Sequence, residues 1–309
     1  MSENLDQIFA FLRPVPSAFR LLRIGGKTDG GYLVPDDLSG VGHCFSPGVD
    51  NRKTFEDELS LRYGIHCHMA DFSSSVEDFR TPLLAGKQTF RKKWLGTKTA
   101  GDDISLEDWM LAADIGADAE LMLQMDIEGA EYSVIPSLSR EALSRFRIVL
   151  LELHDLDNLR DMEWAKNRLL PLVHVLRTDF EVIHAHPNNC CEIVSVAPGY
   201  PSVPRILELT LIRRDRNKPG ENGLLHRPLL PHPQDVLWNV PGRSPKHLDA
   251  GWLVGGRPFS SSVRLVQDQL RFHLSWRWRR KLPIRYQALA RNLRASIVGI
   301  RGADRRFYD

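Results

Sequence analysis

The sequence is poor in cysteine and has no long apolar run, and these shortages exclude several classes of protein. Only four of the 309 residues are cysteine and none are spaced as CxxC, so we expect reduced thiols, with disulfides as the lesser alternative. No segment approaches the roughly 18 apolar residues of a membrane-spanning helix. The acidic start has no apolar stretch typical of a signal peptide, which predicts a cytoplasmic protein.

The formal net charge is only +2, but the charges are unevenly distributed. Residues 264–309 hold twelve Lys/Arg and three Asp/Glu, which leaves 29 basic and 36 acidic residues elsewhere. Within this tail, residues 271–281 mix tryptophan with arginine. That mixture suits an anionic membrane surface, with the protein peripheral at its inner face, or an acidic partner; a nucleic acid is disfavoured. The structural alternative is a solvated helix that docks its tryptophans on the body.

The chain divides into four parts by composition and hydrophobic pattern. The predicted parts are an N-terminal helix with a glycine-rich lead-in (1–40), an α/β domain (41–215), an irregular Pro/Gly-rich segment packing on that domain (216–262) and a basic, Trp/Arg-rich helical tail (263–309).

Strand-like and helix-like segments alternate through the α/β domain, which predicts a doubly wound, mostly parallel sheet with helices on both faces. The predicted strands are 41–46, 65–70, 121–125, 147–153, 180–185 and 206–212. The predicted helices are 54–63, 104–115, 132–143 and 161–178. The last two strands have no long helix between them, so they should form an antiparallel pair.

Three successive strand ends carry pairs of ionisable residues: Asp126 and Glu128, Glu152 and His154, His184 and His186. Each pair is spaced i, i+2, which puts both side chains on one face of the strand. Ligands bind at the carboxyl ends of strands in open α/β sheets, so these pairs predict a functional site. Two chemistries remain open: a divalent metal that acidifies a hydroxyl, or a histidine base oriented by a carboxylate.

The turn after the first strand of the domain constrains the cofactor. It reads Ser46-Pro47-Gly48 and lacks the GxGxxG pattern with which a dinucleotide-binding domain cradles a pyrophosphate. S-adenosylmethionine has no phosphate, and one glycine suffices for its amino-acid moiety, so this cofactor is favoured. Asp71 ends the second strand and is placed to hydrogen-bond a ribose diol, with a simple turn residue as its alternative role.

Residues 126–132, Asp-Ile-Glu-Gly-Ala-Glu-Tyr, resemble the signature of FkbM-like S-adenosylmethionine-dependent methyltransferases. Other blocks fit the same family in the same order between about 20 and 212, namely 29–32 (DGGY), 45–48 with 54–56, 104–108, 151–154 and 184–189. The resemblance implies a seven-stranded methyltransferase (Rossmann-like) sheet with its last strand antiparallel. It also implies O-methylation, often of a hydroxyl on a sugar or polyketide.

The strand ends and the resemblance together give a set of predicted site residues. The predicted catalytic residues are His154, His186 and Glu128. Cofactor contacts are predicted from Gly48, Asp71, Asp126, Gly31 and Asp103. A divalent metal, where the reaction requires one, would be held by Asp126, Glu152 and His154. Glu131 is assigned a structural role in the helix that follows.

The predicted function is O-methyl transfer from S-adenosylmethionine to a hydroxyl of a sugar, glycan or related small molecule, by in-line displacement in a water-poor pocket. Two alternatives remain. One is a catalytically silent binding protein with a methyltransferase fold. The other is a nicotinamide-dependent oxidoreductase, against which the missing GxGxxG pattern argues.

Overall fold

A computed structural model describes residues 2–27, 29–220, 223–236 and 239–255. The helical tail predicted over 263–309 lies outside these residues. None of the helices in the described part combines the length and the apolar character that crossing a bilayer requires.

Thirteen strands occur in this part of the chain, and seven of them form one sheet. In chain order they are β1 (Leu21–Ile24), β2 (Tyr32–Pro35), β3 (Val41–Pro47), β4 (His66–Ala70), β5 (Gln88–Arg91), β6 (Trp94–Gly96), β7 (Asp103–Ser105), β8 (Glu120–Met125), β9 (Phe146–Leu153), β10 (Phe180–Pro187), β11 (Ile193–Val194), β12 (Val203–Pro204) and β13 (Leu207–Arg213).

The order of strands across the large sheet is β10-β13-β9-β8-β3-β4-β5. The pairs from β9 to β5 are all parallel, whereas β13 runs antiparallel to both of its neighbours. A last strand inserted antiparallel beside the sixth is the arrangement of the Rossmann-like methyltransferase fold. The predicted fold class of the α/β domain is therefore confirmed.

Within the described ranges, seven α-helices accompany the strands: α1 (Ser2–Leu12), α2 (Thr54–Arg62), α3 (Leu106–Ala112), α4 (Glu131–Ser137), α5 (Arg140–Ser144), α6 (Met162–Trp164) and α7 (Leu170–Asp179). The helix predicted over 132–143 is two helices, because the chain turns extended at Leu138 and Ser139 then caps α5 through its side chain. A π-helical turn, Ala165–Leu169, joins α6 to α7.

The core lies on both faces of the central strands. All eight residues of β9 are buried, as the continuous apolar run predicts for a strand covered on both sides. On one face, α1 packs Leu5, Ile8 and Phe9 into the main apolar cluster, at 0–1% exposure. This helix has an apolar stripe at helical spacing, so its burial follows from its sequence.

Two features of the sheet surroundings differ from the sequence prediction. The glycine-rich lead-in forms a hairpin, β1 with β2, in place of irregular turns. Strand β5 completes the edge of the sheet although its residues, Gln88–Arg91, are mostly polar. Edge strands are often short and polar because one side faces solvent, and such strands give little hydrophobic signal.

Residues 223–236 and 239–255, which we call the strap, run past the carboxyl end of β10, where Asp235 and Asn239 contact its histidines. The strap forms hydrogen bonds along its length: His226 pairs with Ser17, Val240 donates its N–H to Asn189, and the Trp252 indole N–H donates to the Ser202 carbonyl at 2.8 Å. These bonds connect distant parts of the sequence. The strap is held by them and has little regular secondary structure of its own.

The loops after β3 and β8 meet at van der Waals distance. Gly48 has φ +85°, and a Cβ built on it would lie 1.6 Å from the carbonyl oxygen of Asp126. The Asp126 N–H donates to the Pro47 carbonyl at 3.2 Å, and the Gly48 N–H donates to the Ala70 carbonyl at 2.9 Å. A glycine is required here for both its conformation and its size.

We expect Gly48→Ala to lower the free energy of unfolding by about 2–4 kcal/mol, because the backbone of the β8 loop must move and alanine is strained at positive φ. Urea unfolding followed by circular dichroism measures this change.

Gly42→Ala is the matched control, since Gly42 lies in β3, the strand that leads into Gly48. It has no positive φ, and a Cβ added there would meet nothing within 4 Å. That variant should change the unfolding free energy by less than about 1 kcal/mol. Equal effects of the two substitutions would show that the close approach at Gly48 is unimportant.

Candidate active site

An open cleft lies at the carboxyl ends of β3 and β8. Its lining comes from the glycine-rich hairpin turn, the β3 loop and the end of β8: Asp29, Gly30, Tyr32, Gly48, Val49, Asp50, Arg52, Glu56, Gln124 and Asp126. The strand order reverses direction beside β3, so this is the switch point at which open α/β sheets bind ligands.

Buried polar groups form a hydrogen-bonded chain at the floor of the cleft. The Ser46 hydroxyl contacts Glu56 Oε1 and lies 2.5 Å from Gln124 Oε1, and Gln124 Nε2 donates to the Tyr32 hydroxyl at 3.0 Å. Burial raises the pKa of Glu56 to about 7, against the opposing effect of the Ser46 hydrogen bond.

The single proton of the Ser46 hydroxyl explains why a neutral Glu56 suits this chain. Ser46 has acceptor oxygens on both sides but can donate to one only. A protonated Glu56 donates to Ser46, which then donates to Gln124, and every group is satisfied. An ionised Glu56 competes with Gln124 for the same proton, in addition to losing its hydration.

Beside the cleft, His154 lies among the carboxylates of two strand ends, a group that we call the acid cluster. Its Nε2 lies 3.6 Å from Asp126 Oδ1, 3.6 Å from Glu128 Oε2 and 3.8 Å from Glu152 Oε1. The His154 side chain is 3% exposed and that of Glu128 is 42% exposed. The structure therefore gathers the first two predicted pairs into one site.

The other ring nitrogen of His154, Nδ1, contacts two oxygen acceptors on the side away from Asp126 and Glu128. Nδ1 lies 3.1 Å from the Glu152 carbonyl and 3.3 Å from Oε1 of the fully buried Glu131, which also accepts the Ile127 N–H. Burial alone would lower the pKa of His154, but the hydrogen bond and charge of Glu131 and the charge of Asp126 raise that pKa well above its ordinary value. Glu131 orients the histidine as well as beginning α4.

Burial acts in the opposite sense on the carboxylates around His154. It raises the pKa of Asp126 well above its ordinary value, with His154 opposing the change and Glu128 adding to it. Burial also raises the pKa of Glu152, and the charge of Asp126 reinforces that shift. The acid cluster thus brings together more carboxylates than one imidazolium neutralises.

The third predicted pair forms a separate network under the strap. His184 Nε2 lies 2.9 Å from Asp235 Oδ1, and His186 Nδ1 lies 3.5 Å from Asp235 Oδ2. Burial would raise the pKa of Asp235, but its contacts with both histidines hold that pKa well below the usual range. Burial alone would lower the pKa of His186, but Asp235 and the charge of Glu208 outweigh burial and raise that pKa.

Glu208 links the two networks. In the antiparallel pairs it stands opposite Glu152 on one side and His186 on the other, and it accepts a hydrogen bond from Asn239 Nδ2 at 2.6 Å. Burial raises the pKa of Glu208 to about 7, against the opposing charge of His186.

Non-glycine residues with left-handed backbone occur in all three loops of the site: Asp50 (φ 40°), Asn51 (φ 55°), Glu128 (φ 57°) and Asp155 (φ 56°). Such conformations cost on the order of 1 kcal/mol or more and cluster at functional sites. At Glu128 this conformation turns the chain between the end of β8 and Gly129, and the carboxylate faces His154.

Three predicted cofactor residues are not among those that line the cleft. Gly31 packs against the other glycine pair, where a Cβ would lie 2.8 Å from the Gly26 carbonyl. Asp71 accepts the N–H groups of Asp50 and Ser73 and so shapes the turn next to the cleft. Asp103 lies in β7, within a two-stranded sheet with β6.

Several site residues were not predicted from the sequence: Tyr32, Glu56, Gln124, Glu208, Asp235 and Asn239. Gln124 carried a signal, since it is a polar residue inside an otherwise apolar strand. Glu208 is also a polar residue among apolar ones, in β13. There, however, it alternates with apolar residues, as an ordinary solvent-facing position would.

Comparison with known proteins gives little further information. No family model matches the chain, and no curated protein matches it. Among solved structures, the chain is similar to M. capricolum TrmK in complex with the natural cofactor product S-adenosyl-homocysteine, at 8% identity and a TM-score of 0.31. The similarity covers 60% of this chain and 71% of that one. At that level it carries no weight for function, which has to be derived from the site.

We expect Glu56→Gln to be more stable than the natural protein above pH 8, by up to about 3 kcal/mol, and equally stable near pH 4.5. The raised pKa means that folded Glu56 keeps its proton up to about pH 7, so stability falls as pH rises from 4.5 through 7. A glutamine can donate to Ser46 at every pH. Urea unfolding at several pH values measures the difference.

Glu77→Gln provides the control, because Glu77 is exposed and should give the same pH profile as the natural protein. A Glu56→Gln variant that is less stable than the natural protein at pH 8 would refute the neutral chain at the cleft floor.

Proposed function

We propose that this protein transfers the methyl group of S-adenosylmethionine to a hydroxyl of a sugar, glycan or related small molecule. The resemblance of residues 126–132 to FkbM-like methyltransferases supports this proposal. The observation that carries it is the position of Asp126, which lines the cleft at the switch point and also lies 3.6 Å from His154 in the acid cluster. Cofactor cleft and acceptor site therefore adjoin.

The cleft suits S-adenosylmethionine better than a dinucleotide. The β3 loop offers one glycine, which is packed against the β8 loop, so it forms no glycine-rich cradle for a pyrophosphate. Carboxylates of Asp29, Asp50 and Asp126 line the cleft. They favour the sulfonium and the ammonium of this cofactor over two phosphates.

The acid cluster suits an acceptor with several hydroxyl groups. Carboxylates accept hydrogen bonds from hydroxyls, often two at once, and the cluster presents Asp126, Glu128 and Glu152 on one side of His154. Such an arrangement would hold adjacent hydroxyls of a sugar in fixed positions and leave one oxygen directed at the cleft.

The reaction would be an in-line displacement. A lone pair of the hydroxyl oxygen forms a bond to the methyl carbon while the carbon–sulfur bond breaks. The electron pair of that bond passes to sulfur, which gives neutral S-adenosylhomocysteine, and the hydroxyl proton leaves to a base. Most of the rate would come from positioning the two reactants in a site that excludes water.

Glu128 is the best placed base. The His154 ring is only 3% exposed, and its Nδ1 faces the Glu152 carbonyl and Glu131 Oε1. His186 is enclosed by Asp235 and Asn239, and its side chain is 4% exposed. Glu128 is the most exposed carboxylate around His154 and stands on the loop that borders the cleft.

We expect the purified full chain to bind one equivalent of S-adenosylmethionine or S-adenosylhomocysteine and no NAD, measured by isothermal titration calorimetry. The Gly48→Ala variant should lose this binding, because a Cβ at residue 48 displaces the β8 loop that borders the cleft. Gly42→Ala should retain it. Binding of NAD, or of neither ligand at millimolar concentration, would contradict the proposed function.

We expect Glu128→Gln to lower kcat by about 10²–10⁴-fold, the usual contribution of a general base, and to leave S-adenosylmethionine binding unchanged. The assay screens mono- and oligosaccharides for the mass gain of one methyl group and then follows turnover of the acceptor that is found.

Glu141→Gln, at an exposed position on α5, is the control and should keep the natural kcat. A folded His186→Ala variant whose kcat falls by about 10²–10⁴-fold, while Glu128→Gln stays active, would assign the base to His186 instead.

A further inference from the structure

His154 is built to offer a lone pair to the acid cluster. Its Nδ1 faces two oxygen acceptors, the Glu152 carbonyl and Glu131 Oε1, at 3.1 and 3.3 Å. A hydrogen on Nδ1 satisfies these acceptors, which leaves Nε2 as the atom directed at the carboxylates. The nearest carboxylate oxygens are 3.6 Å from Nε2, beyond hydrogen-bond distance.

Two of the carboxylates near Nε2, those of Asp126 and Glu152, also have an incomplete set of partners for charge or for hydrogen bonds among the described residues. Asp126 Oδ1 is buried and has no hydrogen-bond partner in the structure. Within the described part of the chain, neither Asp126 nor Glu152 forms an ion pair with lysine or arginine. A nine-tenths buried imidazole nitrogen and a buried carboxylate oxygen without a hydrogen-bond partner therefore lie 3.6 Å apart.

The spacing of these atoms fits a small divalent cation. One ligand atom each from Asp126, Glu152 and His154 lies within 4.8 Å of the other two, and Nε2 is 3.6–3.8 Å from both carboxylates. Ligands bound at about 2.0–2.2 Å lie roughly 3–3.6 Å apart, so the distances from Nε2 to the two carboxylates are within a few tenths of an ångström of that spacing.

Groups behind the three residues have the form of an outer coordination shell. Metal-binding histidines usually donate their other N–H to a carboxylate or a backbone carbonyl, and His154 faces one of each. Glu131 is itself oriented by the Ile127 N–H. Glu152 Oε1 accepts from Asn188 Nδ2 at 3.4 Å. All three positions are thus fixed by the fold.

We propose that Asp126, Glu152 and His154 bind one divalent cation. The cation would hold the acceptor hydroxyl and lower the pKa of that hydroxyl, so that its proton passes to Glu128. The role in catalysis rests on the proposed function, whereas binding of the cation does not. One imidazole nitrogen with two carboxylate oxygens favours Mn²⁺ or Zn²⁺ over Mg²⁺ and Ca²⁺, which prefer oxygen alone.

A neighbouring set of carboxylates, Asp29, Glu152 and Glu208, offers a discriminating control. It shares Glu152 with the proposed site but contains no nitrogen ligand. Substitutions of His154 and Asp126 therefore report on the proposed site alone, and Glu208→Gln reports on the neighbouring set.

The test is calorimetric titration of the metal-stripped full chain with MnCl2 and with ZnCl2, together with electron paramagnetic resonance of bound Mn²⁺. We expect one cation per chain, and at least a 10-fold loss of affinity in His154→Ala and in Asp126→Asn. Glu131→Gln should lose about 10–100-fold through the outer shell, and Glu208→Gln should retain the natural affinity. Circular dichroism confirms that each variant is folded.

Asp126→Asn keeps the test decisive if His154→Ala does not fold, because Asp126 stands in a partly exposed loop. No binding at millimolar Mn²⁺ and Zn²⁺, or equal affinity in the natural protein and Asp126→Asn, would overturn the proposal. Binding lost in Glu208→Gln alone would also overturn it.

The cation titration and the S-adenosylmethionine titration are carried out separately, the latter in EDTA, so their failures are distinguishable. A chain that binds Mn²⁺ but not the cofactor upholds the cation site and removes the proposed function. A chain that binds the cofactor and no cation upholds the proposed function and removes the cation site.

Discussion

The burial of carboxylates at one edge of the sheet is the constraint on which the rest of the site depends. Parallel strands β8 and β9 bring Asp126 and Glu152 to the same edge, and the antiparallel β13 adds Glu208 from the opposite direction. Burial raises the pKa of all three carboxyl groups. Unpaired buried charge is costly, so a fold that retains these groups must meet their charge with protons, histidines or a bound cation.

In this protein, histidine and neutral amide side chains contact the buried carboxylates. His154 stands within the acid cluster, and Asn239 of the strap hydrogen-bonds Glu208. Imidazole suits this use because its charge depends on its surroundings, whereas a guanidinium stays charged and would fill the site permanently. The strap adds one carboxylate of its own, Asp235, and places it against two histidines, His184 and His186.

Much of the fold could be predicted from the sequence because its signals are local. Continuous apolar runs marked β8 and β9, and i, i+2 spacing placed Asp126 with Glu128 and Glu152 with His154 on shared faces. The hairpin of the lead-in, the polar edge strand β5 and the partners from the strap could not be predicted in the same way. Asp235 reaches His184 from 51 residues away, and no periodicity in a Pro/Gly-rich segment encodes such a contact.

The geometry also changes the roles that spacing alone assigned within residues 126–131. Glu131, which a helical position made look purely structural, fixes the ring of His154 through Nδ1. Gly48 fixes the other side of the loop, since only a residue without Cβ allows the β3 loop to contact the Asp126 carbonyl. Asp126 is thereby held between the cleft and the acid cluster. It lines the cleft, and its carboxylate lies 3.6 Å from His154, so in the proposed reaction a displacement of this single residue would separate the methyl donor from its acceptor.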